Sequence, residues 1–210
     1  MQRYHNASPL EILALFTLKL LNAGDIQPIA LAWLERGLGG DEVACLAFEP
    51  CTSILENENS FKSALREILG DLSITKLEAL WLTYRYYLQN VLYAQNDELN
   101  ALHPVINLSY DADEMELFDR PDCDAHFAER NQKYPITKST KFAGQEYGIE
   151  NLWGLYYSTD DGYEWTKKID QETKARIRDE TRLVLERFYS TDSTLPTPLK
   201  RVQALIKKTA

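Results

Sequence analysis

The fold of this chain is decided by residues 73–92, whose sequence is SITKLEALWLTYRYYLQNVL. Apolar side chains recur there at steps of three and four residues, the spacing that lines one face of an α-helix. They are Ile74, Leu77, Leu80, Trp81, Tyr84, Leu88, Val91 and Leu92. Polar residues stand between them, which argues against a membrane span. The pattern predicts a long helix, capped by Ser73 or Thr75, as the spine of an α-helical core.

The segments around this spine carry the same period. The start Ser8-Pro9-Leu10-Glu11 combines an N-cap serine, a proline and a capping-box glutamate, which predicts a helix to about Leu21. We expect Gly24 to end that helix in a left-handed conformation and Asp25 to cap a second helix. Further helices are predicted over residues 41–48, 61–69, 170–189 and 199–206. Tyr86, Tyr87 and Tyr93 lie at the edge of the spine's apolar face, where another part of the chain or a partner could dock.

The pattern weakens after Pro104. Residues 110–124 fit either a loop or a helical turn, and 152–165 fit either a β-hairpin around Thr159-Asp160-Asp161-Gly162 or two helix fragments. The predicted fold class is therefore mainly α, an irregular helical bundle with a small β-hairpin near 152–166 as an open alternative. We expect an N-terminal helical domain over 1–104 and a mostly helical region over 105–210. This second region either packs on the first or forms one continuous domain with it.

The charge is strongly acidic and unevenly distributed. The chain has 210 residues and a formal net charge of −9, which disfavours a general nucleic-acid binder. Residues 1–125 carry 20 acidic against 8 basic residues, whereas residues 126–210 carry 12 against 15. Three cysteines at no recognisable spacing do not predict a disulfide framework. Without a recognisable targeting or membrane segment, we expect a cytoplasmic, reduced protein that does not bind membranes.

The common catalytic motifs are absent from the sequence. Residues 37–40 are rich in glycine but lack the strand and the Lys-Ser/Thr of a phosphate-binding loop. Cys123 and His126 would need further ligands to hold zinc. No Gly-x-Ser-x-Gly elbow occurs. We predict no cofactor and no metal. A metal-dependent hydrolase or transferase that uses the acidic segment 111–124, with Asp111 and Asp113 as a metal-binding pair, remains the alternative.

Two features are not fully explained by an ordinary core. Residues 111–124 contain seven acidic residues and one basic residue, which fits either a solvated loop or a surface that attracts a basic partner. Tyrosine and tryptophan cluster over residues 147–165. They fit either a second small core or the centre of an interface, because these side chains bury much area at low entropic cost.

The segment from Leu20 to Pro28, followed by a helix that carries Trp33, resembles the start of small helical bacterial proteins. Some of these are immunity proteins, which neutralise a toxin encoded beside them. The resemblance covers about 30 residues of a helix–turn–helix joint. It implies a cytosolic inhibitor that acts by steric and electrostatic occlusion, with a basic toxin as its partner.

Together these patterns predict a non-enzymatic protein-binding protein that resembles immunity proteins and uses an acidic surface. The predicted partner-binding residues are Asp111, Asp113, Glu114, Glu116, Asp119, Tyr156, Tyr157, Asp160, Asp161 and Trp165.

Overall fold

The protein is mainly helical in a computed structural model, as the sequence predicts. The structure describes residues 4–48, 53–94, 97–114, 152–157, 159, 170–188 and 197–209, and no strand occurs among them. The helices are α1 (Pro9–Thr17), α2 (Ala23–Glu35), α3 (Asp41–Phe48), α4 (Ile54–Leu69), α5 (Lys76–Tyr93), α6 (Glu98–Glu114), α7 (152–157), α8 (Gln171–Phe188) and α9 (Thr197–Thr209).

The joint between α1 and α2 differs from the prediction. The helix α1 begins with the predicted capping box at Ser8, but it ends at Thr17. Lys19, rather than Gly24, adopts the left-handed conformation after α1, with φ at 59°. Gly24 instead lies in the first turn of α2, and the Asp25 carboxylate accepts a hydrogen bond from the Asn22 N–H at 2.8 Å. The sequence indicated the joint correctly but placed the left-handed residue five positions too late and the N-cap of α2 three positions too late.

The spine helix α5 is buried around most of its circumference. Its start is the predicted capping box, in which the Thr75 N–H donates to the Glu78 carboxylate at 2.8 Å. Glu78 and Thr83, which the periodicity places on the polar side, are buried. Tyr86 and Tyr87 are buried as well, whereas Tyr93 is 75% exposed. A helix that is enclosed on nearly all sides lies at the centre of its fold.

A break that the sequence pattern did not reveal separates α5 from α6. The Asp97 side chain accepts a hydrogen bond from Asn100, and the Asp97 carbonyl accepts one from the Ala101 N–H. Pro104 lies inside α6, although an internal proline costs about 3 kcal/mol. The apolar face of α6 offsets this cost, since its side chains are buried on both sides of Pro104. These side chains are Leu99, Leu102, Val105, Ile106 and Leu108.

The chain forms two compact units, which divide inside α5 and inside α9. The first comprises Met1–Thr83 with Leu205–Ala210, and the second comprises Tyr84–Ala204. The predicted boundary at 104/105 falls within the continuous helix α6. In the first unit, α2 packs on α3, and α4 packs on both α3 and α1. Its core includes an aromatic row in which Phe61 lies between Phe16 and Trp33, at ring-centroid distances of 5.0 and 6.0 Å.

The second unit is built around the contact of α6 with α8. Glu98, 1% exposed at the start of α6, forms an ion pair with Arg178 of α8 at 3.1 Å between Oε1 and Nη2. The hydroxyls of Tyr84 and Ser109 are hydrogen-bonded in the interior. Residues 152–157 are helical rather than extended, because Leu152 and Leu155 at helical spacing are both buried. The other half of the hairpin alternative, 160–166, lies outside the described residues.

Candidate partner-binding surface

One stripe of α6 faces solvent in the second unit. His103, Asn107 and Tyr110 are exposed, and their spacing of four and three residues places them on one side of the helix. His103 and Asn107 lie within 3.5 Å of each other through Nδ1 and Nδ2. The opposite side of α6 carries its buried apolar residues, so the stripe is the outer surface of a well-anchored helix.

The short helix α7 lies along this stripe. Trp153 stacks on Tyr110 with ring centroids 6.2 Å apart and an interplanar angle of 7°. Tyr156 stacks on His103 at 6.0 Å and 29°. The pairs follow opposite orders along the two helices, with the later residue of α7 beside the earlier residue of α6. The buried Leu152 and Leu155 anchor the other side of α7.

The five rings form a continuous surface, which we call the aromatic patch: His103, Tyr110, Trp153, Tyr156 and Tyr157. Tyr156 and Tyr157 meet edge to face at 5.5 Å, and the hydroxyls of Tyr110 and Tyr157 are hydrogen-bonded to each other. Each ring therefore has at least one neighbour that restricts its rotation. Aromatic pairs in such geometries contribute about 0.5–1.5 kcal/mol beyond the area that they bury.

The aromatic patch has the properties of an interface centre. Tyr110 is 39% and Tyr157 44% exposed, so large rings and their polar tips are available to another molecule. Tyrosine and tryptophan dominate binding energy in protein interfaces because a ring buries much area with few rotatable bonds. Since these rings are already held by stacking, a partner would order them at low entropic cost.

Acidic residues follow Tyr110 along the final turn of α6. Asp111 is half-buried next to Tyr110, and Asp113 and Glu114 belong to the final residues of the same helix. No basic residue occurs in the last turn. Negative charge at a helix C-terminus is unfavourable, because the helix dipole already places partial negative charge there, and each charge costs about 0.3–1 kcal/mol. Helix stability therefore does not explain the acidic residues at this end.

The structure brings together part of the predicted site. Tyr156 and Tyr157 share one surface with Tyr110, the neighbour of Asp111 in α6, while Asp113 and Glu114 are placed in the helix only by their backbone. The remaining predicted residues, Glu116, Asp119, Asp160, Asp161 and Trp165, lie outside the described residues. The predicted acidic and aromatic features thus adjoin each other where the structure describes both.

Sequence reasoning did not select His103, Tyr110 or Trp153 for the site. Tyr110 was treated as the edge of the acidic run, and Trp153 as one member of a longer aromatic cluster. The sequence signal for Tyr110 and His103 is their helical spacing with Asn107, at steps of four and three residues. The proline at 104 hides this signal, because proline usually marks the end of a helix.

Two further observations concern metals and membranes. In the parts of the chain that the structure describes, no group of three His, Cys, Asp or Glu residues is arranged to hold a metal ion. Among the same residues, no helix combines the length and apolar character needed to cross a bilayer.

Comparison with known proteins does not place the chain in a family. No protein-family model, no curated protein and no solved structure matches it.

Proposed function

We propose that this chain is a non-enzymatic protein-binding protein that uses the aromatic patch and the acidic end of α6 to dock on a basic protein partner. Within this class we propose an immunity-type inhibitor, the form implied by the resemblance of the α1–α2 joint. The inhibitor would cover the basic active surface of a toxin. The observation that carries the proposal is the exposed, mutually stacked set of rings beside acidic residues.

The rings support the binding part of the proposal. Tyr110 and Tyr157 are more than a third exposed and are joined by a hydrogen bond. Exposed rings that are already ordered suit the centre of an interface, because they exclude water and lose little entropy when a partner covers them. We expect Tyr110 and Tyr157 to contribute most of the binding energy.

The acidic residues support the choice of a basic partner. Acidic groups beside an interface accelerate the encounter with a basic surface and repel acidic proteins. The rate of association should therefore fall steeply with salt, because the Debye length shortens from about 10 Å at 0.1 M to 3 Å at 1 M.

The first experiment compares two charge reversals of equal size. Asp113→Lys with Glu114→Lys alters the acidic end of α6, while Asp179→Lys with Glu186→Lys alters exposed residues of α8. We expect the α6 variant to lose partner capture and to be at least as stable as the wild type, because lysine suits a helix C-terminus. The α8 variant should keep capture. Equal capture by all three proteins would contradict the proposal.

The second experiment places a photocrosslinking residue at Gly154, which is exposed next to Trp153 and has room for a side chain, or, as control, at the exposed Tyr93. Crosslinks at 154 to a protein of basic isoelectric point support the proposal, and equal crosslinking at 93 argues against a specific surface. Calorimetric titration with Mg²⁺, Mn²⁺ and Zn²⁺ tests the alternative of a metal-dependent hydrolase or transferase. A saturable heat of metal binding that the wild type shows, and that Asp111→Asn and Asp113→Asn abolish, would favour that alternative.

A further inference from the structure

The first unit contains an open cleft of about 730 Å³ that the proposed function does not use. It lies between the end of α1, the start of α2, the outer face of α4 and the connection from α4 to α5. Clefts of roughly 300–1,000 Å³ are of the size that holds small organic ligands. Its surface is smaller than a standard protein interface, which covers about 800 Å² on each partner.

The floor of the cleft is apolar. Leu13, Phe16, Leu69, Leu72 and Ile74 line it and are only half-buried. Phe16 is supported from behind by Phe61, which in turn stacks on the fully buried Trp33. The part of the floor that Phe16 forms is therefore backed by the core, while Leu72 and Ile74 belong to the connection between α4 and α5. Apolar side chains left half-exposed in a concave site gain free energy when a ligand covers them.

The rim of the cleft is basic, although the chain as a whole carries a charge of −9. Lys19, Lys62 and Arg66 line it together with one acid, Glu58. Lys62 forms an ion pair with Glu58. The Nε atom of Arg66 lies 3.8 Å from Oδ1 of Asp71, which is almost fully exposed. Such exposed pairs are weak, about 0–1 kcal/mol, so another anion can compete for the same cations. The hydrogen bond from Lys62 and the charges of Lys62 and Lys19 lower the pKa of Glu58, as expected for a carboxylate beside two cations.

Lys19 reaches this rim through an unusual backbone conformation. Its φ of 59° lies in the left-handed region, where a residue with a side chain loses about 1–2 kcal/mol relative to the ordinary helical conformation. Its N–H closes the end of α1 by donating to the Phe16 carbonyl at 3.0 Å. Glycine or asparagine would serve that purpose with less strain, so a lysine here is better explained by its charge at the cleft.

The start of α2 also borders the cleft. Asn22 and Ala23, the N-cap and first residue of this 13-residue helix, line it. The partial positive charge of this helix N-terminus is already met by the Asp25 carboxylate, which accepts a hydrogen bond from the Asn22 N–H. The positive groups that border the apolar floor are therefore the three cations of the rim.

We propose that this cleft binds a single long-chain carboxylate, with the hydrocarbon tail on the apolar floor and the carboxylate at the rim near Lys19, Lys62 and Arg66. A purely apolar ligand would leave the cations unused, and a short anion would leave the floor exposed. A free amphiphile with one carboxylate satisfies both parts. This inference concerns the first unit and is independent of the proposed protein partner.

The test uses the full chain and dodecanoate below its micelle concentration, with affinity measured by isothermal titration calorimetry. We expect one site per chain. Affinity should fall by roughly two- to fourfold for each methylene removed, since a buried methylene contributes about 0.8 kcal/mol. Dodecanol, which has the same tail and no charge, should bind at least tenfold more weakly.

Variants locate the site. Lys62→Glu with Arg66→Glu should weaken dodecanoate binding by tenfold or more, whereas the matched pair Arg176→Glu with Arg182→Glu, exposed on α8, should leave it unchanged. Leu69→Trp, which fills the floor without changing charge, should also weaken binding. Circular dichroism and denaturation midpoints check that each variant is folded.

Three outcomes would overturn the proposal: absence of saturable binding to the wild type, equal affinity for dodecanol and dodecanoate, or equal losses in the α4 and α8 reversals. An acidic helical peptide that binds the wild type but not the Lys62→Glu with Arg66→Glu variant, when dodecanoate binds neither, would overturn the proposal and assign the cleft to a protein segment instead. A wild-type chain that binds dodecanoate but captures no protein would overturn the proposed function alone, so the two proposals fail separately.

Discussion

The cleft of the first unit and the aromatic patch of the second expose apolar surface in different ways. The cleft is concave, floored by aliphatic side chains and Phe16, and bordered by cations. The aromatic patch is a surface of stacked rings, and acidic residues follow its Tyr110 at the end of α6. Aliphatic concavity suits a small flexible tail, whereas rigid rings with polar tips suit a protein surface. The comparison shows that the net charge of −9 does not describe the cleft, whose rim carries three basic residues.

The largest effect should come from the core behind the cleft. Phe61→Ala removes the ring between Phe16 and Trp33, and we expect a loss of about 3–5 kcal/mol in the free energy of unfolding. Urea denaturation measures it. The control Tyr93→Ala removes a ring that is 75% exposed and should cost less than 1 kcal/mol. Equal losses would mean that the aromatic row is not the support of the cleft.

The next effect concerns the ion pair between Glu98 of α6 and Arg178 of α8, which stabilises the unit that carries the aromatic patch. Arg178→Leu leaves the buried Glu98 carboxylate without its ion-pair partner. We expect a loss of about 2–4 kcal/mol, somewhat below the range for a fully enclosed pair because Arg178 is partly exposed. Neither carboxylate oxygen has another hydrogen-bond partner among the described residues. Glu98→Leu with Arg178→Leu should recover most of the loss, which a double-mutant cycle by urea denaturation would measure.

A smaller effect is expected within the aromatic patch itself. Tyr110→Phe keeps the stacking on Trp153 but removes the hydrogen bond with Tyr157. Because both rings are partly exposed, the cost in stability should be at most about 0.5–1.5 kcal/mol. Partner binding should weaken by more than this if the hydroxyls contact the proposed partner. Thermal denaturation and the yield of partner capture separate the two effects, and loss of stability without loss of capture would make the ring pair merely structural.

The start of α8 gives a pH-dependent effect. Hydrogen bonds from the Thr173 N–H and hydroxyl lower the pKa of Asp170 below its usual 3.8. The stabilisation is therefore complete above the unfolded-state pKa and is lost as pH falls through the lower folded-state pKa. Carbon NMR titration of the carboxyl measures the shift. Thr173→Val, which removes the hydroxyl donor, should bring the pKa partly back toward 3.8.

The smallest effect reports on the cleft. Lys62→Met removes the hydrogen bond and charge that lower the pKa of Glu58, so this pKa should rise toward its ordinary 4.5. Like Asp170, Glu58 stabilises the fold above its unfolded-state pKa, and this contribution is lost as pH falls through the lower folded-state value. Titration of Glu58 by NMR tests the change, with Arg182→Met as the control in the second unit. Dodecanoate should also shift the wild-type value upward, because its carboxylate would compete for Lys62.

The caps explain where prediction from sequence succeeded. Ser8 with Glu11, and Thr75 with Glu78, form the capping boxes that the sequence predicts. Gly37 and Gly70 end α2 and α4 in left-handed conformations. These features depend on residues within one turn of each other, so the local sequence contains all the information that they require.

The candidate site was harder to predict because it depends on residues far apart in the chain. Tyr110 and Tyr157 are 47 positions apart, and their hydrogen bond exists only because α7 lies along the outer stripe of α6. The acidic run and the aromatic cluster were identified as separate features, and their meeting at Tyr110 was not foreseen. The cleft was not foreseen at all, since its basic rim comes from the end of α1 and the outer face of α4.

The sequence by itself determined that this protein is mainly helical, where α3, α5 and α8 lie, and that acidic residues concentrate before position 125. Helical periodicity and capping are local, so they can be read directly from the order of residues. Only the tertiary structure decided that Glu78 and Thr83 are buried and that α6 continues past Pro104. It also decided which rings and charges share a surface. The physical reason is that burial and proximity arise from packing between helices, whose free energy outweighs the local preference of a proline or a polar residue.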